Sequence, residues 1–353
     1  MLLFFILLLA LPCLAVKFRT AEDAPILDSR STTCIKGVLC LFVMFHNLGL
    51  DYKGNSEVME LICEHAGGVG VGLFFFLSAF GIVRSYGKHG NKYLPRLIFV
   101  HSARLYAISV FINLLTYFVF FRGAFERTDL LMRIFNLDVF NDFNRMNRHG
   151  WYISTVIGMY FIFAIVYFAA SFLKTDKKLI IAGIILSLVA IGFRVGAQIA
   201  DNGGMYTREL PTFAIGVMYA TFYDKVNAFF NKYFLPSAAI FFVGFWVGFF
   251  TVEFISTYSA ALLIIILSQR ITYYSPVTYF LGKICIGVYL FLHFSSLALQ
   301  PYLNNPYWWM LLNAGFILEL AVALYGIEKL IGMGITKTKA LVSAKKSRIS
   351  KSE

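Results

Sequence analysis

Eleven apolar blocks recur along the chain, at approximately 1–16, 35–50, 67–83, 99–121, 151–173, 179–199, 210–223, 233–251, 254–269, 277–299 and 308–331. A bilayer core of about 30 Å takes about 20 helical residues to cross, with a range of roughly 17–25. The shorter blocks are spans that tilt less or extend a few residues past their apolar part. Composition agrees: 59% of the 353 residues are hydrophobic and 14% charged, whereas a soluble domain is about half apolar and roughly a quarter charged. Such a chain could not cover its own surface in water, which excludes a soluble enzyme, a disordered protein and a collagen-like fibre. No 20–50-residue period and no Pro/Gly/Ser-rich linker divides it. The expected fold is all-α, a polytopic transmembrane bundle of about ten core helices plus one extra N-terminal helix. Residues 1–33 form that apolar helix and a cytoplasmic linker, 34–331 the transmembrane domain, and 332–353 a basic cytoplasmic tail.

The first block has no positive charge before it and is followed by Lys17 and Arg19. A signal peptide has the opposite arrangement, so an uncleaved helix running from outside to inside is expected. With Lys36 in the cytoplasm, the cytoplasmic segments hold 23 of the 31 Lys and Arg residues, the outer loops 7, and Arg194 lies within a span. This obeys the positive-inside rule and places the C-terminus in the cytoplasm of a multi-pass cell-membrane protein. The loop from Arg122 to Gly150 is the exception, with five Arg outside. It either caps a polar, anionic acceptor or is simply long enough to escape the charge rule. The formal charge of +12 is thus a topology signal, and no nucleic-acid partner is expected. The five Cys show no CxxC and no His at metal-ligand spacing, so neither a disulfide framework nor a metal site is expected.

Ionisable groups inside spans are costly and usually face a cavity or a partner. They are His46, Arg194, Lys283, His293, Glu319 and Glu328, with Lys36 and Arg104 near helix entrances. Any one such His is as often a packing residue hydrogen-bonded between helices as a functional one. Together, His46 and His293 in the outward halves of two spans point to a polar cavity.

The local strings say more. Ile35-Lys36-Gly37-Val38, an apolar run and Phe45-His46 resemble the first-helix signature of the acyltransferase family 3 membrane proteins. Gly70-Val71-Gly72-Leu73-Phe74-Phe75-Phe76-Leu77-Ser78-Ala79-Phe80 resembles that family's second-helix segment, and Arg96 to Arg104-Leu105-Tyr106 its basic entry into helix three. Trp151-Tyr152-Ile153-Ser154 is similar to its Trp-Phe-Leu-Ser segment. Leu281-Gly282-Lys283 to Tyr289-Leu290-Phe291-Leu292-His293 is similar to its late Tyr-Leu-x-His helix, and Glu328 to its Glu near the end. The set runs in order from about 34 to 331.

The resemblance implies an O-acyltransferase that takes an acyl group, most simply acetyl, from acyl-CoA (acetyl-CoA) on the cytoplasmic side. It delivers the group to a hydroxyl of a cell-surface glycan or lipid-linked sugar facing outward. Lys36 and Arg104 would pair with coenzyme A phosphates, and His46 would take the hydroxyl proton or hold the acyl group in transit, with His293 in reserve. Asn47 would orient His46 or the acceptor, and Trp151, Ser154 and Ser78 would line the acceptor side. Ser78 has no base beside it in the sequence and reads as a helix-contact residue rather than a nucleophile.

Three departures stand out. The family places its His eleven positions after the basic residue, which returns to within 20° of the same helix face at 100° per residue. Lys36 to His46 is ten steps, 80° away, and Asn47 holds the eleventh position. Either a π-bulge or the flexible Lys restores the geometry, or Asn47 has replaced the His. Val156 stands where many members have Glu, and Cys285 where the late-helix Ser is usual. The alternatives are a transporter or flippase of a lipid-linked sugar, and an inactive family member acting as a membrane partner. Transporters show matched Gly/Pro-interrupted helices in two halves, and Gly67 to Gly72 is the one strong interruption here. The acyl chain, the acceptor and the oligomeric state leave no mark in the sequence.

Overall fold

A computed structural model describes residues 16–20, 25–51, 57–137, 147, 149–199, 205–300 and 305–349. The N-terminal block expected at 1–16 lies outside them except for Val16. The chain is almost wholly helical, as an apolar bundle must be where lipid offers the backbone no hydrogen-bond partner. The helices are α1 (Ser29–Asp51), α2 (Glu57–His89), α3 (Ala103–Phe120), α4 (Arg127–Ile134), α5 (Gly150–Ser171), α6 (Lys178–Ile199) and α7 (Leu210–Thr221). They continue as α8 (Tyr223–Lys232), α9 (Phe234–Phe250), α10 (Glu253–Leu267), α11 (Pro276–Leu299) and α12 (Pro306–Ile349). Each of the ten later apolar blocks coincides with a helix. Among the described residues six helical segments are long and apolar enough to cross a membrane, and the α8–α9 pair, bent by 96°, makes a seventh. The last helix continues to Ile349, so the basic segment expected as a separate tail extends the final span. Its Ala, Leu, Lys and Met residues favour helix, and no Pro interrupts it despite Gly332 and Gly334.

The central contact is α1 against α11. The Cys34 thiol lies 3.6 Å from the Ser275 carbonyl. A Cβ at Gly37 would overlap the Thr278 carbonyl, and one at Gly282 would overlap the Thr33 carbonyl. Each helix therefore offers a glycine to the other's backbone, the small-residue approach that packs membrane helices. The two run in the same direction, and a short antiparallel sheet ties the segments before them. Its strands are β1 (Val16–Phe18) and β2 (Ile271–Tyr273), with Lys17 opposite Thr272. Arg19 adds a backbone bond to Arg270 and a side-chain bond from Nε to the Ser268 carbonyl. This strand was not expected from an apolar block that reads as helix up to residue 16.

α2 is the core helix, buried at most positions from Ala66 to Val83. The expected interruption at Gly67 to Gly72 is absent; the helix runs straight through it. These glycines are contact points instead. A Cβ at Gly67 would overlap the His46 ring, one at Gly70 would crowd Val43, and one at Gly72 would overlap Thr257 and crowd the Glu209 carboxylate. The irregular turn lies elsewhere, as a π-helical stretch at Leu97–Ser102 leading into α3.

Gly37→Val should destabilise the fold by about 1–3 kcal/mol, the usual cost of forcing methyl groups into a filled contact. Gly158→Ala, where a Cβ meets nothing within 4 Å, should not. Thermal unfolding of both in detergent is the check, and equal midpoints would show that the α1–α11 contact is looser than described.

Candidate active site

α1 is α-helical without a break from Ser29 to Asp51, so no π-bulge restores the family's eleven-residue spacing. At 100° per residue, Cys34, Gly37 and Cys40 form the stripe toward α11. Leu39, Phe42, Val43 and His46 form the stripe toward α2, where Gly70 meets the first three and Gly67 meets the His46 ring. Lys36 lies between the stripes, and Asn47 returns to within 20° of it. The Asn47 amide donates to its own helix, at the Val43 carbonyl, 2.8 Å away. On α11, Ser275, Thr278, Gly282, Cys285, Tyr289 and His293 follow helical spacing down the face that meets α1. Because the helices are parallel, Lys36 and Lys283 share one end of the bundle. His46 and His293, each ten residues on, lie toward the other, about 15 Å away at 1.5 Å per residue.

At the histidine end the motif segments converge. The Tyr152 ring stands 5.1 Å from Phe75 and 5.2 Å from Tyr289, and His149 lies 5.2 Å from Tyr289. Thus α2, α5 and α11 meet one helical turn from His293, which is buried. Trp151 is partly buried with its ring 6.3 Å from Tyr152, and Ser154 is partly buried on the same helix. Ser78 is not beside a base: its hydroxyl bonds the Tyr160 hydroxyl, a contact from α2 to α5.

The approach to α5 is held by buried amides. Asn113, with no exposed surface, donates to the carbonyls of Arg133 and Ile134 and to Oδ1 of Asn136. Asn136 donates to Ser109 at 2.8 Å and adopts a positive φ of 52°, and a Cβ at Gly150 would overlap its Oδ1. Arg133, one of the loop's five Arg, bonds Asp129 at 2.9 Å and lies over the Phe125 ring.

At the lysine end a cavity of about 320 Å³ opens between α1, α2 and the turn before α1. Lys36, Arg84 and Lys88 line it, with Asp28 as its one acid. Asp28 is occupied as the α1 cap, accepting from the Ser31 N–H at 2.8 Å. Arg104 does not line this cavity. Its Nε and Nη2 each donate to a Glu328 carboxylate oxygen at 2.7 Å, which joins α3 to α12. Cys285 lies within electrostatic reach of both Lys36 and Arg104. The largest cavity described, about 720 Å³ between α6, α7, α8 and α10, is nearly all apolar and contains none of the candidate residues.

Sequence reasoning missed three features. Arg84 and Lys88 were counted only as topology signals, although Leu77, Phe80, Gly81, Arg84, Ser85 and Lys88 share one face of α2 by their spacing alone. His149 sat in an irregular loop with no period to place it. Glu209 precedes a short block, yet it is buried and bonded to Arg208 at 2.7 Å. Both Glu209 and Arg194, the charge found within a span, lie within electrostatic reach of the Tyr258 hydroxyl. Among the described residues no group of three His, Cys, Asp or Glu side chains could hold a metal ion.

No curated protein and no solved structure gives a significant match. The family model of the acyltransferase domain of the acyltransferase 3 type matches residues 30–327, from the start of α1 to one residue before Glu328. The chain is a multi-pass membrane protein and belongs to that acyltransferase family.

Proposed function

We propose that the protein moves an acyl group, most simply acetyl, from acyl-CoA at the lysine end to a hydroxyl of a glycan or lipid-linked sugar at the histidine end. The observation that carries this reading is the parallel α1–α11 pair, which puts the basic cavity and the two histidines at opposite ends of one seam. The lysine end is the cytoplasmic one in this reading, which the distribution of Lys and Arg supports, and the C-terminus lies on that side. His46 is the general base: it takes the acceptor hydroxyl proton as the oxygen forms the new ester bond. The carbon–sulfur bond of the thioester breaks, and the coenzyme A thiolate takes up a proton. Asn47 holds the helix backbone beside His46 and lies between the stripes of α1 that face α2 and α11. Trp151 and Ser154 border the acceptor. Arg104 acts through Glu328, fixing α3 against α12 at the donor end.

General-base catalysis contributes typically 10²–10⁴-fold. His46→Ala should lose that much transfer from labelled acetyl-CoA while still inserting and melting normally, and Asn47→Ala should lose less. Full activity in His46→Ala with a dead His293→Ala would move the base to α11. If both His variants stay active but melt earlier, the histidines only pack. Gly67→Ala tests the same assignment without touching the imidazole chemistry: by displacing the His46 ring it should lower the turnover rate with little change in donor affinity. A reporter that is active only outside the cytoplasm should stay silent when fused after Glu353; a signal would invert the orientation of every helix.

A further inference from the structure

The lysine-end cavity holds more positive charge than the fold uses. Lys36 comes from α1, and Arg84 and Lys88 come from α2 one turn apart. Among the described residues none of the three makes a salt bridge or a hydrogen bond, and Asp28 is spent on capping α1. Arg84 is nevertheless held in place. Its guanidinium lies 4.1 Å from the centre of the Tyr223 ring, which leaves the planar N–H edges free for an oxyanion. The Tyr223 hydroxyl in turn donates to the Ile26 carbonyl at 2.8 Å, fastening the turn that forms the cavity lip. Within that turn Leu27 adopts φ 54° with its side chain buried. Such left-handed backbone is unfavourable for a leucine and clusters at ligand sites. A second cavity, about 250 Å³, shares Arg84 and Lys88 from the other side of α2, so the two cations stand on a ridge between two openings. Lys36 and Arg84 are partly buried, and partly buried cations without acidic partners are unfavourable until an anion joins them; two openings around one ridge, with the exposed Lys88 beside Arg84, suit a ligand with more than one phosphate.

We infer that Arg84 and Lys88, with Lys36, are the groups that grip the phosphates of the coenzyme A donor, and that Arg104, committed to Glu328, is not. Both residues lie outside every segment that resembles the family's motifs. The inference rests on the proposed use of acyl-CoA at this end and adds the residues that bind it.

The test is titration of coenzyme A, and separately of phosphate-free pantetheine, into the full chain in detergent without anionic lipid. Losing a charge-assisted contact worth about 1.5–3 kcal/mol weakens binding by roughly 10- to 150-fold. Arg84→Gln should show that loss for coenzyme A and none for pantetheine. Lys88→Glu should lose several-fold, and its exposed side chain keeps the test decisive should Arg84→Gln fail to fold. Lys174→Gln, in the loop before α6, should bind as wild type. Equal coenzyme A affinity in wild type, Arg84→Gln and Lys88→Glu overturns the inference and leaves the acyl-CoA reading standing. So does a loss of co-purified anionic phospholipid from those variants with coenzyme A affinity intact, which would assign the cations to lipid headgroups. A wild-type protein that binds no coenzyme A overturns both.

Discussion

The reciprocal glycine contact between α1 and α11 is the constraint on which the other arrangements depend. Lipid gives helices no hydrophobic reason to associate, so close backbone approach and dispersion must supply it. Gly37 and Gly282 remove the side chains that would hold the axes apart. Because the helices are parallel, the same contact fixes direction: whatever lies at the start of one shares an end with the start of the other. The two-stranded β1–β2 sheet enforces that register from outside the span. A slip by one residue would turn Cys285, Tyr289 and His293 by about 100° away from the seam.

The two ends are finished in opposite ways. At the histidine end several buried polar groups are paired: the Asn113 amide nitrogen donates to three acceptors, Asn136 donates to Ser109, and Glu209 is paired with Arg208. In a low-dielectric interior such networks are rigid because each broken bond exposes a costly unpaired group. Through the contact of Asn136 with Gly150, these bonds fix the start of α5, where Tyr152 and His149 stand against Tyr289. At the lysine end Arg104 is paired in the same manner with Glu328. Among the described residues Lys36, Arg84 and Lys88 are not, which is the difference on which their proposed role as a binding surface rests.

The bundle was legible because each span is long, apolar and bounded by charge, and those properties dictate helix in lipid regardless of tertiary detail. The ordered motif segments were legible for a related reason: Phe75, Tyr152 and Tyr289 do meet, although nothing in their spacing says so. Hidden features were those set by contact rather than composition. Gly67, Gly70 and Gly72 read as a helix breaker but serve three different neighbours of an unbroken helix. Glycine's missing side chain weakens a helix in water yet suits a crowded membrane interface. The strand at Val16–Phe18 could not be seen, since its partner lies more than 250 residues away. Arg104 and Arg84 are alike as basic residues near a helix end; the positions of Glu328 and Tyr223 tell them apart.

The ten-residue spacing from Lys36 to His46 acquires a meaning once α1 is seen to be regular. With eleven, the imidazole would occupy the place of Asn47, between the two stripes and in line with Lys36. With ten, the ring turns 80° toward α2 and lies against Gly67, where any larger residue would collide with it. The glycine and the shortened spacing therefore belong together: the missing Cβ on α2 provides the space that the turned ring needs. His293 stays on the seam, one turn beyond Tyr289, so the two imidazoles approach the same end of the bundle from different faces. An acceptor bound there would meet a base from the α2 side and Asn47 from the α1 side. On the proposed assignment of His46 as the base, the hollow at Gly67 is what seats the turned ring.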